Sequence, residues 1–145
     1  MEHEIIKSLT SNFENYVNKT ENSIEFWFAR DLQYLLGYTE WRNFLNVVSK
    51  AKTACEISGS GITDHFVDIN KTIKMPKNAE KNVSDIMLTR YACYLIAQNG
   101  DSSKEEIAFA QTYFAVQTRK FEIIDGFKLI NLIKQTGKDT KSSGE

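Results

Sequence analysis

Apolar residues at helical spacing dominate this chain, and only three short runs interrupt them. Near the N-terminus Ile5, Leu9 and Phe13 recur every fourth residue with polar residues between them, which predicts an amphipathic helix packed on a core. Three short segments depart from this spacing and are rich in β-branched or aromatic residues, which is typical of strands. They are IEFWF, HFVDI and VSDIML. This alternation predicts an α+β domain that is mainly helical, with a small antiparallel sheet that carries IEFWF along its edge.

Two predicted helices lie on either side of a glycine turn. The segment ARDLQYLLG predicts a short helix that ends at Gly37, where a left-handed C-terminal cap favours glycine. Thr39 is placed to cap a second helix, which runs from about Glu40 to about Ile57. A short helix, a tight turn and a second helix together predict a helix-turn-helix-like unit at about 29–57.

The outward face of the second helix carries Arg42, Asn46 and Lys50, which are spaced four residues apart and rise along one line. Arginine and asparagine suit base edges, and lysine suits phosphates, so this line is a candidate nucleic-acid-binding face. The competing interpretation is an ordinary solvated helix face.

The stretch Asn70–Asn82, between the second and third short runs, is rich in lysine and contains the only proline, Pro76. We interpret it as the long basic loop of a β-hairpin, which would lie along a phosphate backbone as the wing of a winged helix does. The competing interpretation is a loop that is merely soluble. The candidate phosphate contacts are Lys71, Lys74, Lys77 and Lys81.

Two further helices are predicted after the hairpin. Thr89 begins the segment TRYACYLIAQ, and Ser102 with Glu105 forms a capping-box pattern ahead of a long helix at about 103–124. A helix with two apolar sides is either central in its own domain or shared with a second copy in a homodimer, and both alternatives stay open here. The two stripes are Ile107, Ala110, Phe114 and Phe121 on one side, and Phe109, Tyr113, Val116 and Ile123 on the other.

The length of 145 residues and the 41% content of hydrophobic residues suit a single domain with a real core. We expect that domain to cover 1–134. Residues 135–145 have the polar composition of a disordered tail, and this ending suggests the start of a C-terminal region in a longer parent protein.

Charge and the rarer residues narrow the classes of function. The net charge of -1 lacks the basic excess of many nucleic-acid binders, so a DNA site must be local. Cys55 and Cys93 have no metal-ligand spacing and are expected to be buried, reduced thiols. His3 and His65 belong to no nucleophile, zinc or phosphate-loop motif, so no enzyme, metal or cofactor is expected. The chain has neither an apolar stretch of membrane-spanning length nor a leader pattern, which predicts a cytoplasmic protein.

Five segments in order carry a family resemblance. They are FWFARDLQYLLGYTEWRNF from Phe26, KAKTACEISG from Lys50, DHF at Asp64, LTRYACYLIAQNGD from Leu88 and EIAFAQTYFAVQTRK from Glu106. Together they resemble the DNA-damage-inducible protein D family over about 24–120. They resemble more loosely the BRO-type N-terminal domain of phage antirepressors.

The first resemblance implies a bacterial protein induced with the damage (SOS) response, without known catalytic activity, that acts on DNA or on the recombinase filament assembled on it. The looser one implies an α+β domain that binds DNA or a repressor. Members of the first family are longer at the C-terminus. Neither family supplies a residue-level binding site, so the seven candidate residues rest on their own pattern.

Two functions therefore stand side by side. The first is a DNA-binding domain that uses the helix face and the lysine hairpin, on single- or double-stranded DNA. The alternative is a protein-interaction module that engages a recombinase filament, a repressor or its own copy through apolar surface, with the 103–124 helix as one candidate.

Overall fold

The computed structural model describes residues 3–116, and a boundary in the chain's packing follows Phe114. The predicted division between 134 and 135 lies outside the described residues and stays a prediction. The elements are α1 (His3–Asn15), β1 (Asn18–Lys19), β2 (Glu25–Phe28), α2 (Ala29–Leu35), α3 (Trp41–Ile57), α4 (Ile62–His65), β3 (Phe66–Lys74), β4 (Glu80–Thr89), α5 (Arg90–Gln98) and the described part of a final helix, α6 (105–116). The predicted α+β class, mainly helical with an antiparallel sheet, is confirmed.

The four strands form one antiparallel sheet in the order β1-β2-β4-β3. Strand β2 pairs with β4 from Phe26↔Thr89 to Phe28↔Met87. The prediction that IEFWF lies along the edge of the sheet was wrong, because the two-residue strand β1 pairs with its outer side. Within the described residues, the outermost strands of the sheet are therefore β1 and β3.

Aromatic side chains from four elements are buried in the core. Phe13 of α1, Trp27 of β2, Phe44 of α3 and Phe114 of α6 are fully buried. The Trp27 indole N–H donates a hydrogen bond to the carbonyl of Phe13, at 3.1 Å, so the one polar atom of this large ring is satisfied. Trp41, Leu95 and Phe109 are partly buried and pack against this core.

The predicted turn at Gly37 is confirmed, because this glycine has φ +81°. The Gly37 and Tyr38 N–H groups donate to the carbonyls of Tyr34 and Gln33, at 3.1 and 3.0 Å, which closes α2. Thr39 does not cap the following helix, because α3 begins at Trp41 and places Glu40, without a side-chain hydrogen bond, at the capping position.

The predicted cap at Thr89 is confirmed, since its hydroxyl oxygen accepts from the N–H of Ala92. The capping box predicted for Ser102 and Glu105 was wrong. Helix α6 begins only at 105, and the carboxylate of Asp101 instead closes the preceding turn by accepting from the N–H and the hydroxyl of Ser103 at 3.0 and 2.7 Å.

Helix α6 packs on its own chain through both of its apolar stripes, as far as Phe114. Ile107 and Phe114 are fully buried on one side. On the other, Phe109 and Tyr113 pack on Phe13 of α1, with ring centroids 5.5 and 5.3 Å apart. This part of the helix therefore supports central packing, while Phe121 and Ile123 lie outside the described residues.

Candidate nucleic-acid interface

The hairpin of β3 and β4 extends well beyond the rest of the sheet. Strand β2 accompanies β4 only over Met87–Thr89, whereas β3 follows β4 as far as the pair Lys74↔Glu80. The seven residues 68–74 of β3 thus form a two-stranded ribbon about 23 Å long, at about 3.3 Å per residue. Residues 72–82 are exposed on both faces of this ribbon. We call residues 68–86 the arm.

The arm confirms the predicted hairpin but corrects its loop. A loop covering Asn70–Asn82 was wrong, because strand pairing continues to Lys74 and resumes at Glu80. Only five residues, Met75–Ala79, connect the strands. Pro76 lies in this connection, where the missing N–H of proline leaves the ladder intact.

The turn at the tip has a defined shape. Lys77 and Asn78 both adopt left-handed backbone conformations, with φ 65° and 63°, as the two central residues of a type I′ turn do. The Met75 N–H donates to the carbonyl of Ala79 at 2.7 Å and closes the connection. Lys77 occupies a conformation that costs an L-residue roughly 1–2 kcal/mol. The chain thus places a lysine where glycine or asparagine would be easier.

The two faces of the arm differ in chemistry because side chains alternate along each strand. Thr72 and Asn82 are partners on the polar face, where the Thr72 hydroxyl donates to Asn82 Oδ1 at 3.0 Å. The other members of the polar face are Asp68, Asn70, Lys74, Glu80 and Ser84. The opposite face carries Ile69, Lys71, Ile73, Met75, Lys81 and Val83. A two-stranded ribbon of this kind has the width that the DNA major groove admits.

The four predicted phosphate contacts separate into two groups. Lys74, Lys77 and Lys81 are exposed in the distal half of the arm. The ammonium group of Lys71 is instead engaged within the domain, because its Nζ lies 2.7 Å from Asp85 Oδ2 and 3.4 Å from the ring centroid of Phe28. Lys71 therefore holds the arm to the sheet, and we retain only the other three as candidate phosphate contacts.

Asp85 anchors the base of the arm and is almost completely buried. Its Oδ1 accepts from the N–H of Arg30, at 3.1 Å, in the first turn of α2. The capping position of α2 is Phe28, which has no acceptor side chain, so the strand residue supplies the missing acceptor. Burial raises the pKa of the neighbouring Asp31, against the opposing charge of Lys71.

The predicted helix face is exposed along its whole line. Arg42, Asn46 and Lys50 all face solvent, while α3 buries its other side. The buried positions of α3 are Phe44, Val48, Ala51 and Cys55.

A groove of about 330 Å³ separates α3 from the base of the arm. Its α3 wall is Trp41, Leu45, Val48, Ser49 and Lys52, and its arm wall is Asp68, Ile69, Asn70, Ser84, Asp85 and Ile86. The groove thus lies between the base of the arm and the side of α3 that carries Trp41, Leu45 and Lys52, while Arg42, Asn46 and Lys50 are exposed elsewhere on α3.

Two cations of this groove were missed in the sequence. Lys52 lines it from α3. The Arg30 guanidinium stacks 4.1 Å from the ring centroid of Trp41, and its Nε donates to the carbonyl of Ser84 at 2.8 Å. Helical spacing places Lys52 three turns after Trp41, on the same side of α3, so the sequence did contain a signal for Lys52. Arg30 gave no such signal, because its position depends on how α2 meets β4.

His65 has the structural role expected of a histidine at a turn. Its Nδ1 lies 2.7 Å from the hydroxyl of Thr89, the same oxygen that accepts from Ala92 N–H. The Thr89 hydroxyl thus bonds both the ring of His65 and the backbone at the start of α5. Burial lowers the pKa of His65, with Asp64 opposing that shift.

Cys55 and Cys93 are buried free thiols, as predicted, and burial raises the pKa of both. In the described part of the chain, no three side chains of the metal-ligating types cluster as a metal site would require. Within residues 3–116, none of the helices combines the length and apolar content of a membrane span.

A family model described as the BRO family, N-terminal domain, matches residues 14–115. The chain belongs to the BRO family. Its BRO N-terminal domain begins near the end of α1 and contains α3, the groove and the entire arm. The elements that form the candidate interface are thus part of the family's own domain.

This BRO N-terminal domain is also similar to a curated relative, DNA damage-inducible protein D of Escherichia coli (strain K12). The two are 50% identical over 113 residues, which is 78% of this chain and 41% of the relative. The chain therefore spans less than half the length of that relative. Both family resemblances are confirmed, and no solved structure matches.

Proposed function

We propose that this BRO N-terminal domain binds DNA through α3 and the arm, as part of a response to DNA damage. The damage response is taken from the name of the Escherichia coli relative. The observation that supports DNA binding is the projecting lysine-bearing ribbon, whose base is separated by a groove from α3, the helix that carries the exposed Arg42, Asn46 and Lys50. An α-helix and a two-stranded ribbon are the two elements that the major groove of DNA admits.

Local charge supports this proposal even though the whole chain has a net charge of -1. In the exposed stretch 72–82 three lysines accompany a single acidic residue, Glu80. Because exposed charges more than about 10 Å apart are largely screened at physiological salt, a phosphate backbone at the tip responds mainly to this stretch.

We assign different tasks to α3 and to the arm. Arg42 and Asn46, on the exposed face of α3, are suited to base edges, and Lys50 continues the same line toward a phosphate. Lys74, Lys77 and Lys81 follow the backbone. Lys71 keeps the structural role that its contact with Asp85 gives it.

The first experiment titrates the purified protein with single- and double-stranded DNA by fluorescence anisotropy at several salt concentrations. Replacing Lys74, Lys77 and Lys81 by Gln should weaken binding to every sequence alike. It should also reduce the log-log salt slope on duplex DNA by about 0.9 for each phosphate that a lysine no longer neutralises.

The matched control replaces three exposed lysines elsewhere, Lys7, Lys19 and Lys104, by Gln, which changes the net charge equally. That variant should keep most of its affinity. If both triple variants weaken binding to the same extent, the arm is not the contact surface. If the parent binds no DNA at low salt, the proposal is wrong.

The helix face is tested separately with Arg42→Ala. The substitution should cost about 1–3 kcal/mol of binding free energy if Arg42 reads a base. It should also narrow the difference in affinity between preferred and random sequences. Lys19→Ala removes the same charge far along the chain from α3 and should leave that difference unchanged. An Arg42→Ala variant that binds like the parent would remove α3 from the interface.

A second candidate function, a protein-interaction module, is favoured by exposed aromatic surface on α2 and just after the end of α1. Tyr34 is 71% exposed, and its ring centroid lies 6.1 Å from that of Tyr16. Exposed tyrosines are typical of protein interfaces. The affinity of this surface for a recombinase filament, a repressor or a second copy of this chain should depend little on salt concentration. Tyr34→Ser should weaken this binding. DNA binding should instead weaken steeply with salt.

A further inference from the structure

We propose that Met75 and Pro76 form an apolar wedge that enters a base step of duplex DNA and bends it. This inference rests on the proposed DNA binding and adds a mode of action to it.

The tip of the arm exposes apolar side chains that no core covers. Met75 and Ile73 are each 40% exposed, and Pro76 is exposed as well. Their neighbours from 72 to 82 are exposed on both faces, so the apolar atoms at the tip contribute little to the stability of the domain. Methionine, isoleucine and proline are among the side chains with which architectural proteins part stacked base pairs.

The backbone holds this apolar group in one shape. The left-handed residues Lys77 and Asn78 close the connection directly after Pro76, and the Met75 N–H is bonded to the carbonyl of Ala79. A tip with a fixed turn loses less conformational entropy when it enters a narrow groove than a flexible loop does.

Lysines lie on both sides of the apolar tip, as phosphates lie on both sides of a base step. Lys74 and Lys77 flank Met75 and Pro76 along the chain, and Lys81 lies on the opposite strand as the partner of Ile73. An anionic lipid surface also attracts lysines around an apolar tip. The hydroxyl and amide groups of Thr72 and Asn82 favour DNA, because they can bond to base edges and sugars that a lipid layer does not offer.

The reach of the arm fits this mode. The ribbon is about 23 Å long, whereas the grooves of DNA are about 7.5–8.5 Å deep. The tip can therefore reach the bases while the base of the arm remains outside the groove.

The experiment measures bending by energy transfer between dyes at the two ends of a duplex, together with the affinities for intact and nicked duplexes. We expect the parent to raise the transfer efficiency. We also expect it to bind the nicked duplex about tenfold more tightly, because a nick removes much of the cost of deforming DNA. Pyrimidine–purine steps, which kink easily, should be preferred.

The test variant is Met75→Ser combined with Pro76→Ser, which keeps every lysine. It should bind intact duplex within about threefold of the parent, through the phosphate contacts that remain, but should lose both the bending and the preference for nicked DNA. The matched control is Val67→Ser, since Val67 is 43% exposed on the same strand at the root of the hairpin. This control should behave like the parent.

The outcomes separate the wedge from DNA binding itself. A parent that binds duplex without bending it or preferring the nick overturns the wedge and leaves the proposed function standing. Single-stranded DNA bound as tightly as the nicked duplex also overturns the wedge. The wedge is also overturned if the protein binds phosphatidylserine vesicles through Met75 and shows no preference for nicked over intact duplex. A parent that binds no DNA overturns both proposals.

Discussion

Asp85 is the buried side chain that connects the arm to the rest of the domain. Its two oxygens contact the N–H of Arg30 and the ammonium group of Lys71, in elements far apart in the sequence. Asp85→Ala should lower the free energy of unfolding by roughly 3 kcal/mol, because α2 loses its acceptor and a buried pair loses one partner. Urea denaturation measures this change in stability.

Asp68→Ala is the matched control for Asp85→Ala, since Asp68 is an exposed aspartate on the neighbouring strand. It should change the stability by less than about 0.5 kcal/mol. Equal effects of the two substitutions would show that Asp85 has no special role at the base of the arm.

His65 predicts a pH dependence of stability. Burial holds its folded-state pKa below the ordinary value of about 6.5, so the folded protein favours the neutral ring, which is hydrogen-bonded to Thr89. The stabilisation is therefore present above the unfolded-state pKa and is lost as the pH falls through the folded-state pKa. Denaturation between about pH 7.5 and 5 should show this loss in the parent. The loss should be smaller in His65→Gln.

His3→Gln, at the exposed start of α1, is the control for the pH measurement and should follow the parent. Parallel pH profiles for the parent and His65→Gln would contradict the role assigned to the ring.

Lys71 shows where sequence reasoning at single residues reaches its limit. Its charge and its spacing match those of Lys74, Lys77 and Lys81, so no local pattern distinguishes it from them. The distinction comes from strand register and from the position of Phe28, which together place a buried carboxylate beside it. Register over a hairpin is a tertiary property, set by pairing across the whole length of the strands.

At the scale of elements, the exposed distal part of the arm, residues 72–82, should be dispensable for folding. Replacing Thr72–Asn82 by Asn-Gly leaves Lys71 and Val83 to close a two-residue hairpin. The free energy of unfolding should change by less than about 1 kcal/mol, because the removed residues are exposed and bury no core. DNA binding should be abolished.

Chemical denaturation and anisotropy on the same preparation test this replacement, with the circular dichroism spectrum as a check on the fold. A shortened protein that unfolds much more easily would show that the arm stabilises the domain. A shortened protein that still binds DNA like the parent would contradict the proposed interface.

Most elements were predictable because each has a local signal of its own. The periodicity of α3, the cap at Thr89 and the left-handed Gly37 all identify their positions within a few residues. The length of the arm was missed because Pro76 and the lysines favour a loop. The alternation of Ile69, Lys71, Ile73 and Met75 does predict a strand, but polar residues that face solvent on both sides weaken that signal.

For the molecule as a whole, Phe114 joins α6 to the sheet and to α1. It is fully buried, with ring centroids 5.3 Å from Trp27 and 5.6 Å from Phe13. Phe114→Ala should lower the free energy of unfolding by about 3–5 kcal/mol, through reduced burial and the cavity that remains. Ile57→Ala is the control, because Ile57 is 80% exposed, and should have an effect below about 0.5 kcal/mol. Thermal and urea denaturation both measure the difference.

The candidate site as a whole was predictable only as two separate surfaces. The line of Arg42, Asn46 and Lys50 follows from helical spacing alone. How α3 lies relative to the hairpin depends on the pairing of β4 with β2 and on the packing of α3 against α5, which connect residues far apart in the chain. Local patterns carry no information on such long-range pairing.

The contact between Asp85 and α2 also implies an order in which the chain acquires its structure. Helix α2 has only seven residues, too few to persist alone, and its acceptor comes from a strand 55 positions later. The β3–β4 hairpin forms from neighbouring residues and can close in about 1–10 μs. Pairing β2 with β4 must close a much longer loop, at a higher entropic cost. We therefore expect folding to begin in the middle of the chain, with the hairpin forming before α2 and β2 assemble onto it.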